Sequence, residues 1–570
     1  MSKGTIALIN PNKVHPPIAP YALDVLSTAL EMAGFTAEVV DLTFCRDDWR
    51  SVLAEYFTDR RPILTGITVR NTDTVYVFDQ RPFVVEHKEI VTEIRRHVSA
   101  PIVVGGVGFS TMPFSLMEYF GVEFGVKGPG ERIVCELAQA LAESRSPREV
   151  TGLLVNDAVW TDPPPACDSP LAPEPRNVVS EIRNVTIPLI TPATPYIRRS
   201  GMPLKVDNRQ YYRQGGLGSI LTKNGCPFSC SHCVEPDAKG ARLAHRHVDA
   251  VVDEMESLIG QGIHDLHTTD SEFNLGIAHS KRVLREIVRR KESSQQSPLH
   301  KLRLWVYCQP SPFDEEFAEL LAAAGCAGVN VGADHVRKDL LDGWKVTAKG
   351  TRYYGSQDVG RLVKLCQAYG IKTMVEALFG MPGETRETMR ECVEEFMALE
   401  ATVTAFSLGL RLFPYIPLAR RLAAECDGVR TVPGLQSDTA RGPIVLRPLE
   451  QCANRAEYER QFMFDEDGRL RLVCYISPSL ANRPEAVGYH SDGWHDSVRF
   501  LWDCVPRSEH YRVMLPTVAG NSEHDNNYAD NPFLVSLREL GYTGAFWAHW
   551  PHRDSILARV RAMPTVEDAG

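Results

Sequence analysis

No apolar run in this 570-residue chain approaches the ~18–20 residues that crossing a bilayer requires, which argues against a membrane role. The N-terminus, Met-Ser-Lys-Gly-Thr-Ile-Ala-Leu-Ile-Asn, enters a strand pattern at once and lacks the apolar segment of a secretory leader. Basic charge is also short: 62 Lys and Arg against 72 Asp and Glu leave a net charge of −10. Phosphate binding needs a concentrated basic face, so nucleic acid is not the expected partner. Short basic clusters such as Arg289-Arg290-Lys291 read as solvated helix surface. Fourteen cysteines spread over this length do not make a secreted disulfide framework, and a reducing cytoplasm is expected. There are no internal repeats.

What is present is strand–helix alternation in two blocks. Over 1–145, apolar runs at Thr5–Ile9, Glu38–Leu42, Ile63–Val69, Ile102–Val104 and Phe124–Val126 read as buried parallel strands. Helical spacing intervenes, as in Ala22, Val25, Leu26, Ala29 and Ala33 ahead of Gly34. That pattern predicts a doubly wound, Rossmann-like sheet whose ligand sits beyond the carboxyl ends of the strands. Residues 146–215 are proline-rich and read as a linker carrying one hairpin. Over 216–425, strands are expected at Ser219–Leu221, Asp265–Thr268, Arg303–Cys308, Gly328–Gly332, Thr373–Phe379 and Thr404–Leu408. Six such units predict a partial (β/α)6 barrel with its chemistry at the strands' C-terminal ends. Residues 426–570 hold four of the eight tryptophans and are expected to form a smaller α+β domain. The fold class is α/β.

The segment Leu221-Thr-Lys-Asn-Gly-Cys226-Pro-Phe-Ser-Cys230-Ser-His-Cys233 stands out. Three thiolates spaced C-x3-C-x2-C on one tight loop can reach three irons of a cubane and leave the fourth open. Structural zinc wants four closed ligands, and the second cysteine pair is missing, although His232 is nearby. This spacing after a first barrel strand resembles the radical S-adenosylmethionine (SAM) superfamily. The resemblance covers 215–425 and extends to Gly380-Met-Pro-Gly-Glu384-Thr and Gly409-Leu-Arg411-Leu-Phe-Pro-Tyr-Ile-Pro-Leu418. It implies a [4Fe–4S] cluster on Cys226, Cys230 and Cys233, with SAM chelating the open iron. It further implies SAM contacts from Phe228, Asp270, Asn274, Asp334 and Arg411. Phe228 can equally be core, and Asp270 can equally cap a helix.

Ahead of the barrel, four segments resemble the cobalamin-binding domain of one branch of that superfamily. They are Asn10-Pro11-Asn12-Lys13, Val69-Arg70-Asn71-Thr72-Asp73, Gly105-Gly106-Val107-Gly108-Phe109-Ser110 and Val126-Lys127-Gly128-Pro129-Gly130-Glu131. All sit at predicted strand ends, where paired glycines let backbone approach a flat macrocycle. The Asp-x-His-x-x-Gly motif that places histidine under cobalt is missing, and Arg70 is expected to cover that face instead.

The class so implied is a cobalamin-dependent radical SAM C-methyltransferase, in which reduced cobalt takes a methyl group from SAM and passes it to substrate carbon. Arg70, Glu272, Tyr307 and the aromatic C-terminal region are similar to the tryptophan 2-C-methyltransferases of thiopeptide antibiotic biosynthesis. That resemblance implies an aromatic amino-acid substrate, Glu272 at the cluster, Tyr307 beside the substrate, and an external reductant such as flavodoxin or ferredoxin. Trp547, His549 and Trp550 are expected to form a substrate wall, and Asn526–Asn531 either a polar lining or a loop. Two other functions stay open: a cobalamin radical SAM cyclase or rearrangement enzyme on a tetrapyrrole or nucleoside, and a non-catalytic iron–sulfur protein.

Overall fold

The computed structural model describes residues 2–161, 205–345, 354–481, 492–514 and 539–562, except 15, 78, 79 and 441. It also describes the strand Val179–Glu181 and Leu537. The Asn526–Asn531 segment and most of the expected linker lie outside the described residues.

The N-terminal sheet runs in the order Thr36–Asp41, Thr5–Asn10, Leu64–Thr68, Ile102–Gly105, Phe124–Val126, Leu153–Asn156, Val179–Glu181. The first five strands are parallel and the last two antiparallel. The sheet thus continues past residue 145, where a linker with one hairpin was expected; the antiparallel pair Leu153–Asn156 and Val179–Glu181 forms its edge. The parallel strands are buried on both faces, so their sequences read as continuous apolar runs rather than alternating ones. Strand order reverses between Thr5–Asn10 and Leu64–Thr68. The loops after these two strands flank the crevice where doubly wound sheets bind ligands.

The second sheet has seven parallel strands in barrel order: Gly218–Ile220, Asp265–Thr268, Arg303–Cys308, Cys326–Asp334, Lys372–Phe379, Val403–Leu408 and Tyr511–Val513. Six are those expected from the sequence. The seventh comes from the C-terminal region, with Arg512 opposite Ala405. Helices are closed by local chemistry: Asp314 accepts from Phe317 N at 2.8 Å to start Glu315–Ala324, and Gly325 ends it in a left-handed conformation.

The C-terminal stretch does two things. Leu435, Tyr458, Phe462, Met463 and Leu472 share a core with Phe114, Leu116 and Phe120 of the N-terminal domain. Ala545, Trp547, Trp550 and Ile556 instead share one with Trp305, Met374, Val403 and Ala405. Those last four sit toward the N-terminal ends of their strands, so the C-terminal aromatics plug the bottom of the barrel.

Candidate functional site

The cysteine loop leaves the first barrel strand and is tied down before it begins. Asp270 accepts from Thr222 N at 2.8 Å and pairs with Lys223 Nζ at 2.8 Å, with side chains 0% and 1% exposed. Lys223 Nζ also donates to Phe273 O at 2.7 Å. A charge this buried persists only when paired and hydrogen-bonded. Asp270, expected on SAM, is therefore consumed in fastening strand to loop. Gly225 follows with φ +87°, where a Cβ would collide with the Arg242 carbonyl. Further along, Ser231 N donates to Trp344 O and Leu418 N to Ser231 O, both at 2.9 Å.

Cys226 and Cys230 are buried and Cys233 is half-buried. Burial pushes the Cys226 thiol up to about 12 and raises Cys233 as well. Only a cation held among them makes such thiols thiolates, as iron of a cluster does. Beside them, Glu272 is half-buried as a residue, yet its Oε2 is sealed and has no hydrogen-bond partner. Burial pushes its carboxyl up to about 8; the charges of Glu235 and Glu376 add to this and that of Lys345 opposes it. An unsatisfied buried carboxylate oxygen whose charge bears on Cys226 fits a metal ligand. Tyr307 donates its hydroxyl to Glu376 Oε2 at 3.0 Å across the intervening strand Cys326–Asp334, and burial raises its pKa well above the usual range.

Three other residues expected on SAM also hold protein partners. Asn274 donates to Gln309 O at 2.7 Å and Pro312 O at 2.9 Å, and accepts from Gln309 N, which uses up its amide. Asp334, at φ +54°, pairs with Lys345 Nζ at 2.8 Å. Arg411 pairs with Asp73 of the N-terminal domain and donates to Leu412 O and Val473 O. Phe228 is half-buried on the loop. Lys345, a buried cation facing the cysteines and Glu272, was not foreseen; a lone lysine after Gly343-Trp344 carries no signal.

On the N-terminal rim, Arg70 lies half-buried in the loop just past Leu64–Thr68, with Nη1 donating to Asn71 Oδ1 at 2.7 Å. Asn12 turns its own loop by accepting from Val14 N, and Lys13 pairs with Glu86. Thr72 is buried and donates to Asp73. Gly105 and Gly106 lead into Val107–Thr111. A Cβ on Gly106 would lie 2.5 Å from Val69 O, and one on Gly108 2.8 Å from Arg70 O. Gly106 and Gly108 therefore also let the loop after Ile102–Gly105 pack against the one after Leu64–Thr68. Phe109 is fully buried against Gly125 and belongs to the core rather than the rim. Val107, at the start of Val107–Thr111, is 40% exposed. Lys127 reaches Asp237 at 2.9 Å across to the cysteine loop's helix, while Gly128 N is held by Ser110 Oγ. Glu131 opens the next helix.

Trp547, His549 and Trp550, expected against substrate, lie at the opposite end of the barrel from Tyr307 and Glu272. Trp547 meets Trp305 edge-on at 5.7 Å, and His549 bonds Thr543 O at 2.7 Å. Clustered aromatics served a core, and their amphipathic character said nothing about which end of the barrel they closed.

A model of the Radical SAM superfamily matches residues 220–396, the stretch with the cysteine loop and the Gly380–Glu384 turn. The whole chain is 63% identical to the Tryptophan 2-C-methyltransferase of Streptomyces laurentii, over 98% of each protein. The chain belongs to this family. A structure of the radical S-adenosylmethionine methyltransferase TsrM from Kitasatospora setae, with tryptophan substrate and the SAM analog aza-SAM bound, matches with a TM-score of 0.88. Identity is 61%, covering 98% of this chain and 99% of that one. The same enzyme with cobalamin and a [4Fe–4S] cluster bound matches at 60% identity and TM-score 0.86, over 99% of this chain and 100% of that one. The likeness to these tryptophan 2-C-methyltransferase relatives spans the N-terminal sheet, the barrel and the C-terminal segments alike.

Proposed function

We propose that this protein is a cobalamin- and [4Fe–4S]-dependent SAM C-methyltransferase acting on C2 of L-tryptophan, in the making of a peptide natural product. The observation that carries the reading is identity of 63% over 98% of both chains, which takes in every region flanking the site. The residues present fit the groups such an enzyme needs. Three thiols on one loop, two buried and one half-buried, fit the cluster, and the rim of Asn12, Arg70, Val107, Lys127 and Gly128 fits a corrinoid.

When bound, cobalamin supplies the methyl carrier between SAM and the substrate carbon, and the cluster an electron-transfer centre. The chain's own residues do the rest. Arg70 would lie against the corrinoid and keep water from it. Glu272 would offer its unsatisfied oxygen to the cluster's open iron, in competition with SAM. Lys345 offsets the negative charge that thiolates and Glu272 accumulate there. Tyr307, oriented by Glu376, stands beside the substrate. With the iron occupied, SAM gives up its methyl group by polar substitution and is not cleaved to a radical. Phe228 and Glu131 complete the SAM and cobalamin pockets. A reductant such as flavodoxin or ferredoxin restores the cofactors, and the setting is cytoplasmic.

The direct test is anaerobic incubation of reconstituted enzyme with reductant, SAM and L-tryptophan deuterated at C2. Product one methyl group heavier that has lost the label supports the reading. Methylation with the label retained excludes C2.

A further inference from the structure

The barrel lumen holds a second polar group that the cluster does not explain. Side chains alternate across each strand, so Trp305 and Tyr307 face the lumen together, as do Met374 and Glu376. Trp305 and Met374 belong to the aromatic plug, with Trp547 and Trp550 closing the barrel below. Above that plug, Tyr307, Asn330, Glu376 and Leu378 are half-buried while Val306, Val331, Val375 and Ala377 beside them are sealed. A space therefore opens inside the barrel on the cluster side of the plug. Gly332 keeps it open, because a Cβ there would stand 2.7 Å from Tyr307 Oη.

The polar atoms in this space are mismatched. Glu376 Oε2 receives the Tyr307 hydroxyl, while the buried Asn330 Oδ1 receives no donor. Burial raises the Glu376 carboxyl, with the Tyr307 hydrogen bond, the Arg512 charge and the Asn330 amide opposing it. Arg512, fully buried, sits below with its guanidinium 4.6 Å from the Phe546 ring centre and 5.3 Å from that of Trp550. Asn330 Oδ1 is thus an unfilled acceptor beside the Glu376 carboxylate, in an enclosed, apolar-walled space. A primary ammonium brings N–H donors that would fill it and a charge that would pair with the carboxylate.

We propose that Glu376, with Asn330, is the subsite that takes the α-ammonium group of the amino-acid substrate. The proposal rests on the tryptophan reading above and adds how the amino-acid end, as distinct from the indole ring, is recognised. Tyr307 then acts as the shared neighbour that orients Glu376 from the cluster side.

The test compares L-tryptophan with indole-3-propionate, which keeps ring and carboxylate but lacks the ammonium. It uses reconstituted holoenzyme with cobalamin and iron content measured for every variant. Wild type should prefer L-tryptophan in kcat/KM, and Glu376→Gln should raise its KM on the order of 10- to 100-fold while raising that for indole-3-propionate far less. Asn330→Ala should do the same more weakly, which covers the case in which Glu376→Gln loads cofactors poorly. Equal losses with both compounds, or an unchanged KM for L-tryptophan, would overturn the subsite. Wild-type enzyme that accepts both compounds equally would overturn it too, with the tryptophan reading intact. Wild-type enzyme that binds neither would overturn the tryptophan reading itself and the subsite with it.

Discussion

Arg411 Nε lies 3.1 Å from Asp73 Oδ2, and the pair, 2% and 0% exposed, joins the end of the barrel to the N-terminal rim three residues past Arg70. Removing one partner leaves the other charge buried and alone, which costs about 3–5 kcal/mol. Arg411→Met should therefore lower the urea midpoint of unfolding and reduce cobalamin retention. The dissociation constant for SAM of the fraction that stays loaded should not change. A selective loss of SAM binding with unchanged stability would instead return Arg411 to the SAM pocket.

Asp270 and Lys223 make a parallel case beside the cysteines. Asp270→Asn strands a lysine with 1% exposure and loosens the backbone at Thr222 and Lys223. Iron content after reconstitution should fall severalfold, while SAM affinity per loaded molecule holds. Full iron content with weakened SAM binding would contradict this placement.

Trp547 packs 5.7 Å from Trp305 at the bottom of the barrel. Trp547→Ala should cost about 3–5 kcal/mol of stability, as large-to-small core substitutions do, with the KM for substrate unchanged. Calorimetry and steady-state kinetics on the same sample separate the two effects.

His87 is buried, its Nδ1 lacks a partner, and burial holds its pKa down at about 4. An unfolded chain binds a proton there near pH 6.5, so the folded state binds fewer protons across the window from about 6.5 to 4. Stability must therefore fall as pH drops through that window. His87→Phe, packed against Phe120, should flatten the acid limb and raise the melting temperature at pH 5. A variant that follows the wild-type curve would show that His87 does not set it.

Much of this arrangement was legible because it is local. The strands Asp265–Thr268 and Arg303–Cys308 match their expected bounds to the residue, and the second shows why: a buried parallel strand writes itself as a short apolar run. The C-x3-C-x2-C loop was equally plain, because cluster ligation demands close spacing. What failed was long-range. The destination of Asp270 depends on Lys223, 47 residues away, and that of Arg411 on Asp73, 338 residues away. A charged residue at a strand end looks the same whether it awaits a ligand or already holds a partner. The three-residue strand Tyr511–Val513 is too short for periodicity, and only the register with Thr404–Phe406 makes it part of the barrel. Glu376 sat unremarked inside an apolar run, although a lone acid among Met374, Val375, Ala377 and Leu378 was the available signal.

The central claim is that methyl transfer here is polar, with Glu272 holding the iron that SAM would otherwise chelate. The most direct measurement counts products of anaerobic turnover with L-tryptophan. The account predicts S-adenosylhomocysteine equal to 2-methyltryptophan, with negligible 5′-deoxyadenosine. One 5′-deoxyadenosine for every methylated product would contradict it.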